Sequence, residues 1–133
     1  MKNREIVDDW LTRARSNLYR ARVGKVSDEI LFEDLCFDCQ QAVEKSLKGL
    51  LIAFDQEVPR THIIGSLLRS LVKIGVVIPE SIILSSDLTE YAVHTRYPGM
   101  YEPIKEEEFV DALEIAELVY SWVITEISNN DGE

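Results

Sequence analysis

The chain has 133 residues, 46% of them hydrophobic and 29% charged, which suits one folded domain with a single core and excludes a disordered chain. Its apolar runs are far too short to span a bilayer, and the charged start Met1-Lys2-Asn3-Arg4-Glu5 has no apolar signal region, so a cytoplasmic protein without membrane contact is expected. The net charge of −10 argues against a grip on long duplex DNA, which calls for a basic surface.

Helical spacing recurs along the chain and strand alternation is nearly absent. The first predicted helix, about Arg4 to Val23, places Val7, Trp10, Leu11, Ala14, Leu18 and Ala21 on one stripe, with Gly24 ready to end it. This stretch carries a charge of its own. Residues 1–26 hold seven basic and three acidic side chains, a net of +4, and the remainder holds seven and twenty-one, a net of −14. The first-helix arginines fit a solvated helix face; a short strand held by a local arginine patch, or a basic protein partner, is compatible with the same distribution.

Ser27 offers a cap for a second and longest helix, about Asp28 to Phe54, with Phe32, Leu35, Cys36, Cys39, Val43, Leu47, Leu50, Leu51 and Phe54 as its apolar stripe. Cys36 and Cys39 share a face, but no strand–helix context suggests a redox pair, and zinc would need four ligands where only His62 and His94 remain. Two buried thiols packing as small apolar groups are expected, with no metal and no cofactor. A polar row holds Gln41, Lys45 and Lys48, with Gln40 and Glu44 beside it. It reads either as a solvated face with Lys48 or Lys45 paired to Glu44, or as the lining of an anion-binding groove.

Thr61 is placed to cap a third helix reaching Ile74, buried through Ile64, Leu67, Leu68 and Leu71. A fourth segment, about Glu80 to Tyr97, carries Ile83, Leu84, Leu88, Tyr91 and Ala92, with Ser85-Ser86-Asp87 a point of interruption; Pro98-Gly99 stops it. The last helix, about Lys105 to Ser128, opens on Glu106-Glu107-Glu108, where negative charge suits a helix N-terminus. Its stripe of Phe109, Leu113, Ala116, Val119, Tyr120, Val123 and Ile127 is flanked by Ile115, Leu118 and Trp122, a wide arc that predicts a homodimer interface. Residues 129–133 read as a polar tail beyond a single domain of residues 1–128. The expected architecture is all-α, an antiparallel bundle of four to five helices. No Gly-rich phosphate loop and no Ser-His-Asp set stands out.

The run Cys36-Phe37-Asp38-Cys39-Gln40-Gln41-Ala42-Val43-Glu44-Lys45-Ser46-Leu47-Lys48-Gly49-Leu50-Leu51 resembles the second-helix signature of HEPN domains (higher eukaryotes and prokaryotes nucleotide-binding). Thr61-His62 at the third helix, Thr95-Arg96-Tyr97-Pro98 closing the fourth and Trp10 in the first agree with it, so the resemblance covers nearly the whole chain. It implies a commonly dimeric helical bundle, often paired with a minimal nucleotidyltransferase in a two-component, toxin–antitoxin-like system. Many relatives are implied to be metal-independent ribonucleases, with an Arg followed four to six residues on by a His.

Here Arg96 is followed by no histidine anywhere in the chain, and the fifth position on is Tyr101. A phenol keeps its proton near neutral pH, where an imidazole exchanges it, so the departure argues against catalysis. The resemblance therefore implies a nucleotide- or short-RNA-associated interaction module, with Arg96, Tyr97 and Tyr101, and Gln41, Lys45 and Lys48 on the second helix, as its binding residues. The alternatives are a ribonuclease toxin in which Tyr101 or His94 works with Arg96, and a purely structural helical dimer. For single residues the plainer reading is a cation bridging near a helix end for Arg96, half-buried ring packing for Tyr97 and Tyr101, and helix-end packing for His62.

Overall fold

A computed structural model describes residues 1–93 and 102–131. These residues form helices α1 (Arg4–Val23), α2 (Phe32–Ala53), α3 (Ile64–Lys73), α4 (Glu80–Ile83), α5 (Glu90–Val93) and α6 (Glu106–Asp131), with a 3₁₀ stretch, Leu84–Thr89, joining α4 to α5. The architecture is the expected all-helical bundle. The long α2 is its central element, lying against α1 on one side and α6 on the other. Every predicted segment is helical over its described residues; the fourth is broken by the 3₁₀ stretch and its expected end at Tyr97 lies outside the described residues, and the other differences lie at helix ends.

α1 spans the predicted residues. Gly24 takes a positive φ of 77°, and its N–H reaches the Arg20 carbonyl at 3.3 Å. The start of α2 lies four residues beyond the expected Asp28. Ser27 Oγ accepts from the Glu29 N–H (3.1 Å) and its carbonyl from the Ile30 N–H (3.1 Å), so Ser27 closes a turn instead of capping the helix. α3 likewise begins at Ile64. Thr61 Oγ1 accepts from Ile63, and the Ile64 N–H is capped by Thr89 Oγ1 at 3.0 Å, 25 residues away.

The interruption around Ser85-Ser86-Asp87 is the 3₁₀ stretch. Its tighter turn rotates the faces, so Ile82, Ser85 and Leu88 are buried, whereas Ile83 and Leu84, expected in the core, are exposed. The polar tail expected from Asn129 is instead helical through Asp131. Arg4 and the N-terminal amine pair with Asp131, and Asn130 Nδ2 donates to the Ala53 carbonyl (3.4 Å), which ties the last turn to the ends of α1 and α2.

The core is a single cluster drawn from all the long helices, with Val7, Leu18, Val43, Leu47, Leu50, Ile64, Leu71, Val119 and Val123 among its most enclosed members. Phe32 of α2 stacks on Phe109 of α6 at 5.5 Å. α1 and α2 come close at Gly49, where an added Cβ would stand 3.3 Å from Trp10 Cβ. No helix among the described residues is long and apolar enough to cross a membrane.

Candidate functional site

The polar row of α2 is where the described structure gathers the most chemistry, and it is not a solvated face. Gln40, Glu44 and Lys48 follow one another at four-residue steps and are all buried. Glu44 Oε2 accepts from Lys48 Nζ at 2.9 Å. Glu44 Oε1 accepts from Gln40 Nε2 at 3.0 Å and faces His62 Nδ1 at 2.9 Å. Gln40 Nε2 also reaches the His62 carbonyl (3.3 Å), and Gln40 Oε1 accepts from Gln41 Nε2 (2.7 Å). Lys48 Nζ lies 5.6 Å from the centre of the Trp10 ring, a cation–π contact. One carboxylate thereby fastens α2 to the segment entering α3, and its lysine fastens α2 to α1.

Electrostatics follow from that geometry. Burial by itself raises the Glu44 carboxyl, but hydrogen bonds from Lys48, Gln40 and His62 and the Lys48 charge outweigh it, and the group titrates below the usual carboxylate range. Glu44 is therefore a fixed anion near neutral pH. It holds the His62 ring by Nδ1, and that side chain is 66% exposed, so Nε2 is the nitrogen left for another partner. An imidazole oriented by a buried carboxylate is suited to proton transfer or to donating to an anion.

A second cluster joins α1 to the same helix. Asn17 Nδ2 donates to Asp38 Oδ1 (2.9 Å), Lys45 Nζ donates to Asn17 Oδ1 (2.8 Å), and Arg20 Nε lies 3.5 Å from Asp38 Oδ2. Asn17 and Asp38 are buried and Lys45 is partly so. Burial lowers the Lys45 ammonium from its ordinary value, with Arg13 and Arg20 adding to the effect and Glu44 and Asp38 opposing it.

Of the residues that the sequence offers as ligand contacts, Gln41, Lys45 and Lys48 thus share α2 but are engaged with Gln40, Asn17 and Glu44. Lys48 does pair with Glu44 as expected, though out of solvent. Arg96, Tyr97, Tyr101 and His94 lie outside the described residues. Sequence reasoning missed the roles of Asn17, Asp38 and His62. The four-residue step from Gln40 through Glu44 to Lys48 was the one visible signal, since their distant partners leave no local pattern.

Cys36 and Cys39 are buried thiols with no disulfide between them, as expected. Burial, helped by nearby Cys36 and Asp38, pushes the Cys39 thiol far above its ordinary value, so it stays protonated. Among the described residues no three His, Cys, Asp or Glu side chains gather to hold a metal ion.

The comparisons with known proteins agree with this architecture. The profile of the HEPN domain family matches residues 7–128. The solved structure of ST0689, described as an archaeal HEPN homologue, is 30% identical with a TM-score of 0.73, over 91% of this chain and 97% of that one. TT1696 from Thermus thermophilus is 33% identical with a TM-score of 0.77, over 90% of this chain and 97% of that one. No curated protein matches this chain. With a profile match across most of its length and relatives sharing nearly its whole fold, the chain belongs to the HEPN family.

Proposed function

We propose that this domain is a nucleotide- or RNA-binding interaction module that homodimerises in the cytoplasm and works beside a nucleotidyltransferase in a two-component, toxin–antitoxin-like system. The observation that carries the reading is the family match over residues 7–128. Arg96, Tyr97 and Tyr101 supply the ligand contacts, the guanidinium gripping phosphate in fork geometry and a ring stacking on a base. Gln41 and Lys45 of α2, each only partly buried, add further ligand contacts. Support for the dimer comes from α6, where Val110, Leu118 and Ile124 stay exposed although the helix already buries a full stripe.

The test combines gel filtration with thermal shift, using ATP, GTP, UTP and a short RNA. A dimer that one of these stabilises, with the shift lost in Arg96→Ala, is the expected result. Monomers at every concentration, or a dimer indifferent to all four, would sink the reading in favour of a structural module.

A ribonuclease reading has one observation on its side: the Glu44–His62 pair, an imidazole already oriented by a carboxylate in a chain with no histidine after Arg96. Cleavage of a short RNA by the wild type, lost in both Arg96→Ala and His62→Ala, would move the assignment to that class. An intact substrate after prolonged incubation would close it.

A further inference from the structure

The outer face of α1 holds a cleft of about 500 Å³, with Arg15, Tyr19, Arg20 and Arg22 from α1 and Tyr120 from α6 among its lining side chains. Thr12, Arg15, Ser16, Tyr19 and Arg22 recur along it at steps of three and four residues, so they form one stripe. Arg15 and Arg22 are seven residues apart, about 10 Å along the axis. Arg15, Tyr19 and Arg22 are exposed, and Tyr19 at 66% exposure leaves a ring face open.

The cations differ in what already holds them. Arg20 reaches Asp38 at 3.5 Å and Arg22 reaches Glu117 at 2.8 Å, each through Nε, which leaves the terminal nitrogens of both guanidiniums for other partners. Arg15 makes no hydrogen bond or ion pair among the described residues. The Arg22–Glu117 pair is well exposed on both sides and so is weakly held. The helix that supplies most of this cleft belongs to a stretch of net positive charge, +4 over residues 1–26 against −14 for the rest of the chain.

We propose that this cleft binds the phosphate–base unit of single-stranded RNA, with Arg15 and Arg22 on phosphate oxygens and Tyr19 stacked on a base. The inference rests on the nucleic-acid reading above but assigns the contacts to residues of α1 instead of Arg96. Guanidiniums match phosphate in fork geometry, and a tyrosine face takes any base. The Thr12 and Ser16 hydroxyls beside them suit the sugar and phosphate oxygens. A nucleotide-sized hollow with an apolar floor at Leu18 favours a strand over an acidic protein helix, which would meet a flatter surface. The overall acidity repels duplex from the rest of the surface, leaving a short local footprint.

The experiment is fluorescence anisotropy of the full chain with a fluorescein-labelled, mixed-sequence RNA decamer at low salt. Arg15→Glu is expected to weaken Kd about tenfold or more, and to flatten the logarithmic salt slope by about 0.7 for the one phosphate that it no longer neutralises. Tyr19→Ala is expected to weaken Kd about fivefold or more, while Tyr19→Phe binds as the wild type does. Displacement by AMP names a free nucleotide as sufficient, and binding that AMP does not displace names the strand; both uphold the site. Wild-type protein that fails to bind, variants that bind unchanged, or displacement of the RNA by polyglutamate would each overturn it. Binding lost in Arg96→Ala but kept in Arg15→Glu overturns this inference and sustains the proposed function. The reverse sustains the cleft and removes Arg96 from the binding set.

Discussion

Two neighbouring helices use charged side chains to opposite ends. On α2, Glu44 and Lys48 are buried and matched to each other and to Gln40, His62 and Trp10. On the outer face of α1, Arg15, Arg20 and Arg22 stand in solvent, the first unpaired among the described residues and the other two held only by Nε. Desolvation explains the difference in consequence. A charge taken out of water becomes dependent on its partner, so the α2 set behaves as structural glue. A charge left in water costs little to hold and keeps its capacity for a ligand. Sharing a helical polar stripe is therefore no guide to function until the neighbours from other elements are known.

The comparison can be broken most forcefully at Glu44. Glu44→Ala leaves the buried Lys48 ammonium without its anion, and unfolding in urea is expected to show a loss of about 3–5 kcal/mol. A loss below about 1 kcal/mol would mean that water reaches Lys48 and that α2 resembles α1 after all.

Next in size is Asn17→Ala, which takes one hydrogen bond each from Lys45 and Asp38. It is expected to cost about 1–3 kcal/mol in the same measurement.

Acid sharpens the contrast. The folded Glu44 carboxyl titrates below its ordinary value of 4.5, so its stabilisation is complete above that pH and is lost as pH falls through the lower folded value. Wild-type stability should decline across that acid window and Glu44→Gln should decline less, read from urea midpoints between pH 5 and 2. Parallel curves would remove Glu44 from the account.

Gly49→Ala tests the approach of α1 that buries Lys48 over Trp10. Its new Cβ would stand 3.3 Å from Trp10 Cβ, and the strain should outweigh alanine's helix preference to leave a net loss of about 1 kcal/mol. A gain in melting temperature would show that Trp10 yields freely.

The smallest expected effect is on the other helix. Arg15→Glu should change stability by less than about 0.5 kcal/mol, since no described residue pairs with it. A larger loss would show that the α1 face is structural too.

The helices, apart from some of their ends, and the family could be read from the residues alone. Periodicity is a local property of the chain, and it placed α1 at its observed bounds, both cysteines in the core, and the break within residues 80–93 where the 3₁₀ stretch lies. The second-helix signature pointed to the HEPN family that the profile match and two solved relatives then showed. Of the candidate site, the step from Glu44 to Lys48 was legible because two residues four apart on one helix must meet.

What surrounds them came from the packing of distant segments. His62 and Trp10 close over the α2 row from 18 and 38 positions away from Glu44 and Lys48, and Thr89 rather than Thr61 caps α3. Whether a polar side chain is solvated depends on atoms brought in by other elements, and no local pattern encodes which those will be. Ile83 and Leu84 turned outward for a related reason: a change from 3.6 to 3 residues per turn redirects the side chains around it.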